Sequence, residues 1–232
     1  MKIIFETYFY LSINRLTISV FQKHDQSKIY NKDFQFENNL GEIDYLTIEK
    51  FLEENIIKIE KITKNFVNEI SLVIEHRESL PIGISMKINN DRNIIRQKDI
   101  DYLLNDAKQQ IRKSYLDKSI IHMIVDNYFF DDMKHSFLPS EINCDNFSFD
   151  IKFICISNEL IKSVEFLFQK HQVFINKIVC AKYVKEFFHN EKIDICSMSR
   201  DIDKGCNKNE IIIIPKTSKK KGIFERFFHL FN

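Results

Sequence analysis

The stretch FSFDIKFICIS, residues 147–157, puts Phe147, Phe149, Ile151, Phe153 and Cys155 on one side of an extended chain and Ser148, Asp150 and Lys152 on the other. Successive side chains of a strand point to opposite faces, so this period of two reads as a strand with one face in a core and the other in water. Such a strand does not stand alone. Its apolar face needs neighbouring strands and a covering layer, which commits the chain to a sheet with at least one packed face.

The flanking sequence switches between the strand period and the helix period. Lys2–Phe21 alternates well enough for two strands with Asn14 and Arg15 in the turn, and Ile29–Phe36 supplies a third, giving a β-meander. Phe51, Leu52, Ile56, Ile59, Ile62 and Phe66 then recur at helical spacing, with Thr47 as the expected N-cap. Ile70–Glu75 and Ile82–Ile88 read as strands, Asp99–Ile111 as a second helix, and Ile120–Asp132 as a strand ending in a turn at the acidic pair. Ser157 caps a helix with the stripe Leu160, Val164, Leu167 and Phe168, and Val173–Ile178 returns as a strand. Beyond Phe188 the pattern stops. Residues 189–221 carry one short apolar run, IIIIP, and read as a linker. The fold class expected is α/β, with a mixed sheet.

A chain of 232 residues has room for one large domain or two small ones, and 44% hydrophobic with 29% charged residues excludes disorder throughout. With 4 Gly and 3 Pro, it carries neither G-x-G-x-x-G nor G-x-x-x-x-G-K-[ST], so the common nucleotide loops are absent. Five cysteines, at 144, 155, 180, 196 and 206, form no C-x-x-C pair, which suggests neither a disulfide framework nor a zinc site and fits a reducing compartment. A net charge of +1 implies no broad basic surface for nucleic acid. The opening MKIIFETYFYLSI is interrupted by Glu6, with Asn14 and Arg15 following, and reads as a strand in place of a signal peptide.

Possible chemistry is sparse. His122 and Asp126 fall on one face of their strand and sketch a metal pair without a third ligand, so a packing role is expected. Asp131 and Asp132 read as a turn, and the cysteines, with no recognisable base beside them, as inert thiols. No catalytic, cofactor-binding or metal-binding residue is expected.

The segment KKKGIFERFFHLFN points elsewhere. At about 100° per residue, Ile223, Phe224, Phe227, Phe228, Leu230 and Phe231 fall within an arc of roughly 160°, with Glu225, Arg226 and His229 on the remainder. Lys219, Lys220 and Lys221 precede it, where lipid headgroups would lie. A polybasic segment joined to an apolar helix face is the pattern of an interfacial helix on an anionic membrane. The bland alternative is a helix docked on the protein's own core or in a partner's groove.

The order of elements resembles FtsA, the actin-like bacterial cell-division protein that ties the division ring to the inner face of the membrane. The likeness covers most of residues 1–188 and is one of pattern more than of identities. IIRQKDIDYLLNDA (Ile94–Ala107) and IIHMIVDNYFFDD (Ile120–Asp132) resemble the family's inserted subdomain, with His122, Tyr128 and Asp131 on the family's positions and Pro139 in the following loop. FDIKFICIS resembles the strand leading back to the first subdomain, IVCAKYVKEFF the segment before the second half, and KGCNKNEIIIIPK with GIFERFFHLF the family's end and membrane-targeting helix.

The resemblance implies half of an actin-like fold interrupted by a small inserted α/β subdomain. Residues 1–70 and 157–188 would form the first subdomain, 71–156 the insertion, 189–218 a linker and 219–232 the membrane-targeting helix. Two departures are expected to matter. The first hairpin has Ser12 and Asn14 where an actin-like ATPase has an aspartate and a glycine, and too little chain lies between Phe188 and the tail for the second half. The reading implied is a non-catalytic adaptor or scaffold of the divisome at the septum, peripheral on the cytoplasmic side of the inner membrane. It would bind anionic lipid, dock other cell-division proteins through the inserted subdomain, self-associate, and bind neither nucleic acid nor a cofactor. The alternatives are a half-actin scaffold in pilus or envelope assembly, or a nucleotide-dependent actin-like ATPase.

Overall fold

The structure, a computed structural model, describes residues 4–37, 41–89, 94–138, 143–189 and 194–211. Along the chain these form β1 (Phe5–Leu11), β2 (Arg15–Gln22), β3 (Lys28–Gln35), α1 (Tyr45–Thr63), β4 (Glu69–Ile74), β5 (Leu80–Asn89), α2 (Gln97–Ser114) and β6 (Lys118–Phe130). There follow β7 (Met133–His135), β8 (Asn146–Ser157), α3 (Asn158–Gln169), β9 (Phe174–Cys180), α4 (Ala181–Phe188) and α5 (Ile195–Asp203). The class is α/β with two sheets, one mixed, in the orders β3-β2-β1-β4-β9 and β5-β8-β6-β7.

In the first sheet β1, β2 and β3 are antiparallel neighbours, and β4 and β9 run parallel to β1. Parallel strands need a crossover, which α1 supplies between β3 and β4. Helices cover both faces. Phe9, Leu11, Leu16 and Leu72 pack under α1 and α3, whereas Tyr8, Tyr10, Val73 and Val179 pack under α4 and α5. A strand covered on both faces reads as a continuous apolar run, which is why FETYFYL alternates so weakly.

The N-cap of α1 is Asp44, not Thr47. The Asp44 carboxylate accepts the Thr47 N–H at 3.1 Å and the Thr47 hydroxyl at 2.7 Å, so the threonine sits one turn inside the helix. Removing this acceptor by Asp44→Ala is expected to cost about 1 kcal/mol, read as a lower urea midpoint. Thr47→Ala keeps the capped N–H and is expected to cost less.

The second sheet lies in sequence between β4 and α3. Phe147, Phe149, Ile151, Phe153 and Cys155 of β8 are all buried in its core with α2, as the alternation requires. The opposite side is wet only for half its length. Ile154 and Ile156 are buried there, Ile154 against the α4–α5 layer and Ile156 in the α1–α3 core, because this is where the second sheet meets the first. Asp131 and Asp132 form the two-residue turn between β6 and β7 with φ of 47° and 66°, the double left-handed backbone favoured in such hairpins. The Asp131 carboxylate also accepts the N–H groups of Asp145 and Asn146, at 2.8 Å each.

The linker expected over 189–218 is corrected. Residues 195–203 form α5, which buries Cys196, Met198 and Ile202 against the first sheet, and residues 209–211 pair with β6. Ile195, Met198 and Ile202 have helical spacing, and Asp194 caps the helix by accepting the Ser197 N–H at 3.0 Å. The expected membrane helix, 219–232, and the remainder of that linker, 212–218, lie outside the described residues.

Candidate functional site

At the end of the first sheet at which β1, β4 and β9 finish, side chains bond to one another across the strand ends. The β1–β2 turn is pinned by the Ser12 N–H, which donates to the Arg15 carbonyl at 3.0 Å, and by the Ser12 hydroxyl, 3.2 Å from the same oxygen. The Ser12 hydroxyl also lies 3.2 Å from Asn14 Oδ1. Beside the turn, Glu75 accepts the Tyr10 hydroxyl and both oxygens take Lys185 Nζ at 2.8 Å. Burial pushes the Glu75 carboxyl up, but the bonds from Lys185 and Tyr10 outweigh it and hold it below its ordinary value.

A cleft of about 350 Å³ remains between Ser12, Ile13, Asn14, Gly41, Glu75, His76 and Arg77. Among these described residues Arg77 brings the only permanent cation, and Glu75 brings a carboxylate. A phosphate cradle needs converging N–H groups and close backbone approach. Here the Ser12 N–H and the Lys185 ammonium are already spent on protein oxygens.

A second polar cluster lies where the two sheets meet. His122 of β6 is 1% exposed. Its Nε2 accepts the Cys180 N–H at 2.9 Å, so the ring proton sits on Nδ1, which donates to Glu210 at 2.7 Å. The other Glu210 oxygen accepts the Tyr183 hydroxyl at 2.8 Å, and Asn207 Nδ2 donates to that hydroxyl at 2.7 Å. Burial raises the Glu210 carboxyl, yet the hydrogen bonds from His122 and Tyr183 win and hold it below its ordinary value. The backbone completes the joint, with the Val125 N–H on the Asn209 carbonyl at 2.9 Å and the Ile211 N–H on the Met123 carbonyl at 2.8 Å.

This cluster ties β6, β9, α4 and the 207–211 segment together, and Tyr183 and Asn207 also line a cleft of about 250 Å³ with Asp126 and Lys152. His122 has both nitrogens engaged, and Asp126 is exposed at a register shift between Val125 and Asn127, so the sketched metal pair does not meet. Among the described residues no group of three or more His, Cys, Asp and Glu is placed to hold a metal. Burial pushes the thiols of Cys155 and Cys196 up to about 11 and about 12, so neither is a thiolate nucleophile at neutral pH. Glu210, Tyr183 and Asn207 were not legible as a cluster. Glu210 opens the IIIIP run, and its only signal was a carboxylate adjoining an apolar strand-like stretch.

No family model matches the sequence, and no curated protein matches it. Among solved structures it is similar to the cytoplasmic domain of EpsL, an inner membrane component of the type II secretion system of Vibrio cholerae, at 7% identity and a TM-score of 0.39, covering 78% of this chain and 59% of that one. The PilM-PilN type IV pilus biogenesis complex gives 6% identity and a TM-score of 0.48, covering 78% and 49%. A Bacteroides thetaiotaomicron protein of actin-like ATPase fold and unknown function gives 6% identity and a TM-score of 0.33, covering 79% and 55%. The chain thus spans about half to three-fifths of the length of these structures. All three TM-scores fall under 0.5. Among the described residues no helix is long and apolar enough to cross a membrane.

Proposed function

We propose that the chain is a non-catalytic scaffold of actin-like build that docks other proteins at an anionic membrane surface, in pilus or envelope assembly. The observation that supports this reading best is the hairpin end, where the Ser12 N–H is bonded to the Arg15 carbonyl and the Lys185 ammonium to Glu75, so that neither donor is free for a phosphate. The order β3-β2-β1-β4-β9, with a helix crossing from β3 to β4, agrees with the actin-like resemblance drawn from the sequence. FtsA itself and the division ring are the other setting that resemblance implies. Two of the solved structures named above come from secretion and pilus systems.

Calorimetric titration with Mg-ATP is expected to give no saturable heat, and micromolar binding would refute the scaffold reading. Intact protein is expected to pellet with anionic vesicles through Lys219–Lys221 and the apolar face of 223–231, and Phe227→Glu is expected to abolish most of that binding. Imaging a tagged copy separates the settings: midcell bands favour division, and envelope foci away from midcell favour assembly of an envelope machine.

A further inference from the structure

The C-terminal end of α1 and the turn between α3 and β9 enclose an open groove of about 370 Å³. Ile56, Ile57, Phe66 and Val67 give it an apolar floor, and Glu53 and Glu60 give it charge. Neither lysine nor arginine lines it. Phe66 is 78% exposed, Ile57 55%, and Phe174, at the start of β9 nearby, 60%. His171, on the groove wall, has a buried Nε2 with no hydrogen-bond partner among the described residues. Large apolar side chains gathered at a concave acidic site describe a binding groove for an apolar and cationic segment.

We infer that this groove holds the chain's own 222–231 segment, so that protein and membrane compete for one amphipathic helix. The inference rests on the membrane-tether reading above. The chemistry matches from both sides. Phe224, Phe227, Phe228 and Phe231 supply the apolar face, and Lys219–Lys221 with Arg226 supply cations for Glu53 and Glu60. An anionic leaflet, by contrast, is repelled by those carboxylates and does not fit a concavity.

The chain is long enough. Ile211 is held to Met123, next to His122, and His122 is bonded to Cys180 at the far end of β9. From there the seven residues of β9 lead back to Phe174 over roughly 23 Å, at about 3.3 Å per residue. Residues 212–222, about eleven of them, reach up to about 36 Å when extended. Being on the same chain, the segment is present at an effective concentration no free partner matches.

The chain contains no tryptophan, so Phe66→Trp creates a single reporter in the groove. In the full-length protein its emission is expected to be blue-shifted relative to the same chain carrying Phe227→Glu and Phe228→Glu, and to move red when phosphatidylglycerol vesicles are added. Separately, Ile57→Ser with Phe66→Ser, both at exposed positions and so neutral for folding, is expected to tighten vesicle binding about tenfold, as for a docked tail outnumbering the free one about tenfold. Identical emission with and without the tail substitutions overturns the inference. So does unchanged or weaker vesicle binding by the groove variant, or a blue shift that vanishes on dilution, which would assign the tail to a second copy. Docking without any vesicle binding would uphold the groove contact and sink the tether reading instead.

Discussion

Phe9→Ala is expected to destabilise the protein by about 3–5 kcal/mol. Phe9 is fully buried at the centre of β1 and meets Phe51 of α1 and Phe168 of α3 edge-on, with ring centroids 5.9 and 5.1 Å away. Truncation therefore removes the side chain's own transfer energy, two edge-to-face contacts and the packing between two helices at once. Collapse cannot fill the hole, because β1 is held by β2 on one edge and β4 on the other. In a chain of this size each kcal/mol moves Tm by about 2–4 °C, so a loss on the order of 10 °C is expected. Phe174→Ala, at an exposed ring, serves as the control and should stay within about 0.5 kcal/mol of the parent. Equal losses in the two variants would contradict the placement of Phe9 under α1 and α3.

How far the sequence carried this fold depended on how each element buries its apolar residues. β8 was legible because the FSFDIKF half has one core face and one wet face, and the β6–β7 turn was legible because adjacent aspartates tolerate the left-handed backbone. α5 was not. Its Ser199 and Arg200 are buried, so a nine-residue helix shows only Ile195, Met198 and Ile202 at helical spacing among polar letters. Arg200 is satisfied there by Glu6 at 3.2 Å and the Gln26 carbonyl at 3.1 Å, two partners some 170 or more residues away in sequence. The cap of α1 was misplaced by three positions because Asp44 and Thr47 both suit the role, and the choice depends on where the backbone turns. The site divides in the same way. The departure from the actin-like hairpin pattern was visible at Ser12 and Asn14, since it depends on residue type. That Lys185 would reach Glu75 beside this hairpin depends on β4 and α4 meeting, which no local pattern encodes.

Glu210→Gln is expected to destabilise the protein at pH 7 and to lose that effect in acid. Glu210 is 10% exposed at its side chain and accepts from two buried donors, the His122 Nδ1–H and the Tyr183 hydroxyl. Glutamine keeps one carbonyl acceptor but replaces the other oxygen with an amide donor that faces a donor, so one buried group is left unsatisfied at a cost of about 1–3 kcal/mol. The pH dependence follows from the sign of the shift. The folded carboxyl is held below its ordinary value, so the folded state favours the ionised form. That contribution is fully present above the unfolded carboxylate value of about 4.3 and declines as pH falls through the lower folded value. Urea midpoints of parent and variant should therefore differ most at pH 6–7 and converge below the carboxylate range, because the parent is then protonated as well. Amide exchange supplies a second readout. The Val125 and Ile211 N–H groups, which bond across to Asn209 and Met123, should exchange faster in Glu210→Ala than the β1 amides do, as the 207–211 segment loosens before the sheet opens. A difference in midpoint that stays constant from pH 7 to pH 3 would show that Glu210 acts through shape alone and that its charge contributes nothing to the joint between the sheets.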